Sequence, residues 1–184
     1  MQNVPHKWPE LIQKLEKYTP DLKVTKVIWE LPNEGWIKVN IDGASRGDSR
    51  RSSIGKEITY GTNNEAEEVA ILEAMRYCVD NRLANVMLQT DSMLMKNVLE
   101  GKWGAPWNIN EYFEEIKTLI EECNVRVSHI LREGNSLADY IANCALDSGD
   151  FEAQGFAQLD SNSRMIVNLD KSQCPYLRVK AAKN

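Results

Sequence analysis

Strand-like and helix-like patterns of apolar residues alternate along most of this chain, and this alternation constrains the fold more than any other feature. Apolar residues at every second position, or in short runs, predict strands at 36–42, 85–90 and 125–131. Apolar residues at helical spacing predict helices at 62–81, 92–100, 110–122 and 136–146. Strands separated by helices pair in parallel through crossover connections, so the chain is predicted to be an α/β protein.

The two ends of the chain are predicted to lie outside this α/β domain. Residues 1–28 are interpreted as a short helix at Pro9–Tyr18 and a connector, and residues 29–150 as the domain. Residues 151–184 form a C-terminal extension with weak strand signals at 165–169. We expect any protein partner to bind through residues 1–28 or 151–184, and the sequence leaves the oligomeric state open.

The composition disfavours several classes of protein. No apolar run approaches the roughly 20 residues that span a bilayer, and the first residues lack the apolar centre of a secretory signal. The four cysteines show no paired metal-type spacing, which favours reduced thiols over a disulfide framework. We therefore expect an intracellular protein, in the nucleus or the cytoplasm, with no membrane association.

Four carboxylates lie where predicted elements end or begin. Asp42 ends one predicted strand and Asp91 directly follows another, whereas Glu67 and Asp139 lie in the first turns of predicted helices. Carboxyl ends of parallel strands meet at one edge of a sheet, so a fold that gathers these ends would place four negative charges in one cleft. Such a cluster is costly without cations and suits a pair of Mg²⁺ ions, or Mn²⁺ in their place.

Each of these acids also has a structural interpretation. The two acids in helical first turns fit capping boxes with the residue three positions earlier, Asn64 or Ser136. Asp42 precedes a glycine and would shape a turn, while Asp91 would cap the following helix. The order of the four acids through an α/β pattern favours the metal-binding interpretation over four independent structural roles.

Several short motifs around these acids resemble type 1 ribonuclease H domains, and most closely those of plant non-LTR retroelements and the host proteins derived from them. The resemblance covers about residues 29–150. The motifs that carry it are Gly35–Ser45, Thr62–Glu67, Thr90–Ser92, His129–Asn135 and Ala138–Ala142.

The resemblance implies a ribonuclease H-like α/β fold, with a mixed central sheet and helices on both faces. It implies a metal-dependent endonuclease that cleaves the RNA strand of RNA–DNA hybrids and leaves a 5′ phosphate and a 3′ hydroxyl. Asp42, Glu67, Asp91 and Asp139 would hold two Mg²⁺ ions and act with His129 as the catalytic residues. The alternative for His129 is a strand histidine with a satisfied hydrogen bond.

Recognition of the hybrid would rest on backbone and 2′-hydroxyl contacts. Asn63 and Asn64 correspond to family positions that contact the minor groove, although both residues are also compatible with simple capping of a helix. Trp103 would stack on a deoxyribose, or else be a half-buried loop residue. The full set of candidate nucleic-acid contacts is Gly43, Ser45, Arg46, Asn63, Asn64, Lys102, Trp103 and Arg132.

The interval between Asp42 and Glu67 departs from the family pattern. Two strands of about 5–6 residues with a hairpin do not fit comfortably between residues 50 and 60, so the sequence predicts that one early strand is missing. The formal net charge of −5 is also unusual for a protein that contacts phosphates. The alternative function is therefore a catalytically weak or inactive domain that binds nucleic acid or protein.

Overall fold

A computed structural model describes residues 9–10, 22–46, 51–53, 58–60, 62–109, 112–148, 153 and 155–181. The chain divides into two compact units, one of residues 1–26 with 177–184 and the other of residues 27–176. The strands are β1 (Leu22–Val27), β2 (Ile37–Ile41), β3 (Ala44–Arg46), β4 (Arg51–Ser53), β5 (Ile58–Tyr60), β6 (Asn85–Thr90), β7 (Asn124–His129) and β8 (Tyr176–Ala181). The helices are α1 (Asn63–Asp80), α2 (Met93–Leu99), α3 (Phe113–Glu122), α4 (Ser136–Ser148) and α5 (Ser161–Lys171).

The first unit contains a two-stranded sheet formed by β1 and β8. Neither strand was predicted, since residues 22–27 were interpreted as part of a connector and residues 176–181 as tail. Large apolar side chains on both strands, such as Val24 and Leu177, are more than half exposed, so burial does not mark these strands. Of the helix predicted at Pro9–Tyr18, only residues 9 and 10 lie within the described part of the chain, and both are helical.

The second unit is built on a parallel sheet with the strand order β2-β6-β7. Its strands confirm the three predicted from alternation, and β6 has the predicted bounds. Val86 and Leu88 of β6 are fully buried and join one apolar cluster with Ile71 and Met75 of α1. Helices α2 and α3 contribute to the same cluster, so this core fixes the strand ends from which the site is built.

Strands β3, β4 and β5 form an antiparallel sheet of three short strands. The prediction of a missing strand is therefore wrong, because both β4 and β5 lie between Asp42 and Glu67. The error came from assuming strands of average length, whereas each of these has three residues, the lower end of the usual range. With parallel and antiparallel strand pairs, and helices packed against the strands, the predicted mixed α/β architecture is confirmed.

The C-terminal extension contains α5 where a strand signal at 165–169 was noted, so that interpretation is wrong. The inward positions of α5 include Ser163 and Asp170, which are buried although they are polar. Polar residues on the buried face hid the helical period of the apolar residues. The side chain of Asp160 accepts a hydrogen bond from the Ser163 main-chain nitrogen and caps the first turn of this helix.

Two further features concern the cysteines and the lengths of the helices. The four cysteines, at positions 78, 123, 144 and 174, are all free. Across the described ranges, the helices are too short or too polar to pass through a lipid bilayer.

Candidate active site

The strand register brings the carboxyl ends of the parallel strands side by side. Ile41 of β2 pairs with Thr90 of β6, and Thr90 pairs with His129 of β7. Asp42 and Asp91 are the residues that directly follow β2 and β6, so the register makes them neighbours at this edge. The predicted juxtaposition of these two strand-end acids therefore follows from parallel pairing alone.

Helix α1 brings Glu67 to the same edge. The side chain of Thr62 accepts a hydrogen bond from the Glu65 main-chain nitrogen, and Glu65 accepts one from the Thr62 nitrogen, so these residues form the capping box. The alternative in which Asn64 and Glu67 form the box is thus wrong. Glu67 lies one turn into the helix and its carboxylate remains available to the cleft.

Gly43 allows the end of β2 to approach the start of α1. A Cβ atom at this position would lie 2.4 Å from the main-chain carbon of Ala66 and 2.4 Å from the main-chain nitrogen of Glu67. Those atoms are backbone and cannot rotate away, so a larger residue would push the strand end from the helix. The absence of a side chain at Gly43 therefore sets the distance between Asp42 and Glu67.

Three of the four predicted acids form a compact cluster. Carboxylate oxygens of Asp42, Glu67 and Asp91 all lie within 4.8 Å of one another. Asp139, in the first turn of α4, lines the same cleft. The cleft has a volume of about 140 Å³, and its remaining lining residues are Gly43, Asn63, Arg132 and Asn143.

Burial and mutual repulsion raise the pKa values in this cluster. The pKa of Asp42 rises to about 7, chiefly because the group is buried and then because of the charges of Asp91, Asp139 and Glu67. Burial also raises the pKa of Glu67 to about 7, against a hydrogen bond from Ser92 that lowers it. The pKa of Asp91 is raised by burial as well. Burial therefore outweighs the groups that favour the charged forms, of which the largest at Asp91 is the guanidinium of Arg132.

The donor set fits a divalent cation. Glu67 Oε2 is buried and has no hydrogen-bond partner within the described residues. An unsatisfied buried carboxylate oxygen is costly, and a hard cation with oxygen ligands removes that cost. Carboxylates at this separation can bind one ion jointly, so Asp42, Glu67 and Asp91 are the residues that would hold it.

Asp139 differs from the other three acids, because it has a cationic partner inside the protein. The Nη2 atom of Arg132 lies 2.5 Å from Asp139 Oδ1. The capping-box alternative for Asp139 is wrong, since the Asp139 main-chain nitrogen donates to the Asn135 main-chain oxygen at 3.1 Å and not to the side chain of Ser136. Asn143, one turn further along α4, donates to the main-chain oxygen of Asp139.

A buried network of amide side chains lies beneath the cleft. Asn40 Nδ2 donates to Gln89 Oε1 at 3.2 Å and to Asn135 Oδ1 at 2.9 Å. Asn135 Nδ2 donates to the main-chain oxygen of Ile41 at 2.9 Å, and Gln89 Nε2 donates to Ser128 Oγ at 3.2 Å. These bonds tie all three parallel strands to the residue that precedes α4, and so they position Asp139 relative to the strand ends.

A family model described as reverse transcriptase-like matches residues 40–145, which is more than half of the chain. The chain belongs to this family. Its central region is a type 1 ribonuclease H-like domain, and the resemblance noted from the motifs is confirmed.

Relatives with assigned names support the same placement. A putative ribonuclease H protein of Arabidopsis thaliana is 28% identical over 140 residues, which are 64% of this chain and 22% of that protein. Ribonuclease HI of Halobacterium salinarum is 28% identical over 130 residues, 61% of this chain and 65% of that protein. The chain thus matches about a fifth of the plant relative and just under two thirds of the archaeal one.

Solved structures show the same fold. The crystal structure of RNase H1 from the halophilic archaeon Halobacterium salinarum matches with a TM-score of 0.54 at 26% identity, covering 61% of this chain and 98% of that chain. The N-terminal RNase H domain of a Mycobacterium tuberculosis protein matches with a TM-score of 0.55 at 19% identity, covering 62% of this chain and 95% of that chain, and it bears on the fold alone.

His129 of this ribonuclease H-like domain lies at the last position of β7, beside Asp91. Its Nε2 atom is 3.1 Å from the main-chain oxygen of Asp91, and the side chain is half-buried. The hydrogen bond matches the structural alternative stated for this residue. A catalytic role remains a prediction.

The predicted nucleic-acid contacts fall into three groups. Asn63 and Arg132 line the cleft, and Asn64 follows Asn63 in the first turn of α1. Gly43 is buried against α1, so its contribution in this structure is packing. Ser45 and Arg46 pair with Ser52 and Arg51 in the short antiparallel sheet, and their side chains lie outside the described part of the chain.

Lys102 and Trp103 lie in the loop after α2 and are not among the residues that line the cleft. Lys102 forms an ion pair with Glu100 at 2.7 Å. Trp103 is 53% exposed. This exposure is compatible both with a half-buried loop residue and with a residue that stacks on a deoxyribose. Contact of this loop with nucleic acid remains a prediction.

Sequence reasoning missed the amide network. Asn40 and Gln89 each lie two positions before a strand-end aspartate, at Asp42 and Asp91. Residues two apart on a strand share a face, so a polar residue there points the same way as the acid. An amide at each of these positions was a signal that the face beneath the acids is polar.

Proposed function

We propose that this protein is a metal-dependent endonuclease that cleaves the RNA strand of RNA–DNA hybrids. The single observation that carries the proposal is the cluster of Asp42, Glu67 and Asp91, whose carboxylate oxygens lie within 4.8 Å of one another at the edge of a ribonuclease H-like sheet. The three carboxylates are partly buried and their pKa values are raised, so their charged forms do not stabilise the fold by themselves, which favours a cation-binding function.

Mg²⁺ is the proposed ion, with Mn²⁺ as a substitute. Asp42, Glu67 and Asp91 would hold one ion, and Asp139 would complete the site for a second. Bound divalent ions lower the pKa of water that attacks a phosphodiester and neutralise charge on the leaving oxygen. The protein contributes fixed ligand positions, because Gly43 and the capped start of α1 define where Asp42 and Glu67 lie.

Protonation of the acids opposes cation binding near neutral pH. Asp42 and Glu67 have pKa values of about 7, so both carboxylates are partly protonated there. Ligand carboxylates must lose these protons, so metal binding releases protons and strengthens as the pH rises. We therefore expect activity to increase through neutral pH into the mildly alkaline range.

Recognition of the hybrid is proposed to use the polar rim of the cleft. Asn63 has the donors and acceptor needed to contact a base edge or a 2′-hydroxyl, and Arg132 has a guanidinium suited to a phosphate. Both line the cleft that contains the acids, which supports their assignment. His129 is proposed to assist proton transfer or product release, from its position next to Asp91.

The decisive experiment is cleavage of a labelled RNA–DNA hybrid in Mg²⁺, with double-stranded RNA and double-stranded DNA as control substrates. We expect cleavage of the hybrid RNA strand and its loss in Asp42→Asn. Asp80→Asn is the matched control, since Asp80 is an exposed acid at the far end of α1. Absence of hybrid cleavage by the wild-type chain would refute the proposal.

A second candidate is a domain that binds hybrids or protein without cleaving them. It is favoured by the net charge of −5 and by the ion pair that already engages Asp139. Binding of the hybrid by wild type at an affinity that Mg²⁺ and Asp42→Asn leave unchanged, without cleavage, would identify this second function.

A further inference from the structure

Arg132 is the cation built into the carboxylate cleft. Its side chain is 71% exposed, yet it forms an ion pair with Asp139 at 2.5 Å. The pKa of Arg132 is raised by Asp139 first, and then by the charges of Asp42 and Asp91. The guanidinium therefore occupies the side of the cleft where a cation bound to Asp139 would have to lie.

The main chain around Arg132 is closely packed, whereas its side chain is mostly exposed. Arg132 begins a single helical turn, Arg132–Gly134, in which the Asn135 nitrogen donates to the Arg132 oxygen at 3.0 Å. A Cβ at Gly134 would lie 2.7 Å from the Ile130 side chain, so the turn is closely packed. A long, mostly exposed side chain on a rigid turn can exchange partners without movement of the backbone.

We propose that Arg132 holds Asp139 in the free protein and exchanges it for a phosphate of the bound hybrid. Asp139 would then become a cation ligand only when substrate is present. This inference rests on the proposed function. A guanidinium binds a carboxylate and a phosphate with the same fork of N–H donors, so the two anions compete for it.

The exchange has two consequences for binding. In the free protein, Arg132 competes with a second divalent ion for Asp139, so the first ion binds at Asp42, Glu67 and Asp91 and the second binds weakly. When a phosphate takes the guanidinium, Asp139 is released and the second ion binds more tightly. Binding couplings are reciprocal, so the second ion strengthens hybrid binding to the same extent.

The free protein provides the first test. Mn²⁺ is titrated into wild type, Arg132→Ala and Arg76→Ala, with unbound Mn²⁺ measured by electron paramagnetic resonance. Arg76 is a matched control, because it is an exposed arginine paired with Glu73 and Glu115 away from the cleft. We expect Arg132→Ala to raise the affinity for the second Mn²⁺ ion at least about fivefold and to leave the affinity for the first ion within about twofold of wild type. An unchanged affinity for the second ion in Arg132→Ala would overturn the proposal.

Hybrid binding without metal provides the second test, by fluorescence anisotropy in a chelator. Asp139→Asn should strengthen binding severalfold because it frees the guanidinium, and this gain should disappear in the double variant with Arg132→Ala. A gain that persists in the double variant would come from removal of a negative charge alone and would overturn the exchange. Arg132→Lys should retain only part of the gain, since lysine lacks the fork of donors.

The two tests separate this inference from the proposed function. The Mn²⁺ titration reports on the ion pair whether or not the chain cleaves hybrid. Cleavage by wild type with no effect of Arg132→Ala on the second ion would overturn the exchange and leave the nuclease proposal intact. A wild-type chain that neither binds nor cleaves hybrid would overturn both.

Discussion

The two sides of the carboxylate cleft differ in what offsets the repulsion between their negative charges. Asp42, Glu67 and Asp91 are held together by packing, and burial raises the pKa of each of them. Asp139 is instead neutralised by the guanidinium of Arg132. The side formed by Asp42, Glu67 and Asp91 needs protons or an external cation to relieve its repulsion, and we infer that it binds the first cation. We call it the primary side. The side formed by Asp139, here called the secondary side, carries its own counter-ion.

The largest expected effect comes from comparing two single variants, one that removes an acid of the primary side and one that removes the acid of the secondary side. Asp91→Asn should lower the affinity for the first Mn²⁺ ion more than about 100-fold, since loss of a direct ligand exceeds the effect of losing a residue that only supports a ligand. Asp139→Asn should change the affinity for that first ion by less than about tenfold, because Asp139 is paired with Arg132. Isothermal titration calorimetry measures both. Equal losses in the two variants would show that the sides are not distinct.

A packing change tests how the first side is held. Gly43→Ala places a Cβ atom 2.4 Å from main-chain atoms of Ala66 and Glu67, which must shift. We expect a loss of about 3 kcal/mol in the free energy of unfolding, the upper end for overpacking, together with weaker metal binding. Urea denaturation measures the stability.

Gly104→Ala is the matched control for this variant. A Cβ at Gly104 meets nothing within 4 Å, and its φ is not in the left-handed region. Its stability should stay within about 0.5 kcal/mol of wild type, as for ordinary surface changes. If both alanine variants behaved alike, close approach at Gly43 would not be what sets the site.

The amide network is expected to connect the two sides more weakly. Asn135→Ala leaves the main-chain oxygen of Ile41 without its side-chain donor and removes one acceptor from Asn40. We expect a cost of about 1–2 kcal/mol and a roughly tenfold fall in affinity for the second ion, because α4 carries Asp139. Thermal unfolding and Mn²⁺ titration measure these effects.

Asn124→Ala serves as the control for the network variant. Asn124 is exposed at the opposite ends of the same strands, where its Nδ2 donates to Asn85 Oδ1 at 2.8 Å. Its loss should leave metal binding unchanged. Weaker Mn²⁺ binding in Asn124→Ala than in Asn135→Ala would contradict the role given to the network.

The primary side of the site could be predicted from the sequence, because strand alternation fixes where a strand ends. The pattern at 85–90 gave the bounds of β6, and parallel pairing then placed Asp91 beside Asp42. Glu67 followed from the helical pattern of α1. The short strand β4 could not be anticipated, since three residues carry too little periodicity to distinguish a strand from a loop.

The ion pair of Arg132 with Asp139 on the secondary side could not be predicted, although Asp139 itself was expected in the cluster, because sequence patterns do not specify which polar side chains pair. Arg132 and Asp139 lie seven positions apart, across a helical turn that changes the direction of the chain, and no pattern specifies that they meet. Helix α5 was missed for a related reason, since Ser163 and Asp170 are buried polar residues on its inner face. Sequence patterns locate apolar faces and element ends, but not the partners of polar groups.

A further expected effect is a dependence of stability on pH that arises from the primary side. Asp42 and Glu67 have pKa values of about 7 in the folded protein and ordinary values of 3.8 and 4.5 otherwise. Folding therefore takes up protons between about pH 4 and pH 7, so their stabilising contribution is greatest below pH 4 and is lost as the pH rises through 7.

Thermal unfolding of the metal-free protein from pH 5 to pH 8 measures this dependence. We expect the midpoint to fall across that range, and Mg²⁺ to reduce the fall because it replaces the protons on the primary side. A variant with both Asp42→Asn and Glu67→Gln should show a flatter profile, since neither group titrates. Asp139→Asn should flatten the profile less than the double variant, because the charge of Asp139 is only one of the causes that raise the pKa of Asp42. A flat profile in the wild type would mean that the three primary acids are solvated well enough to remain charged without a cation.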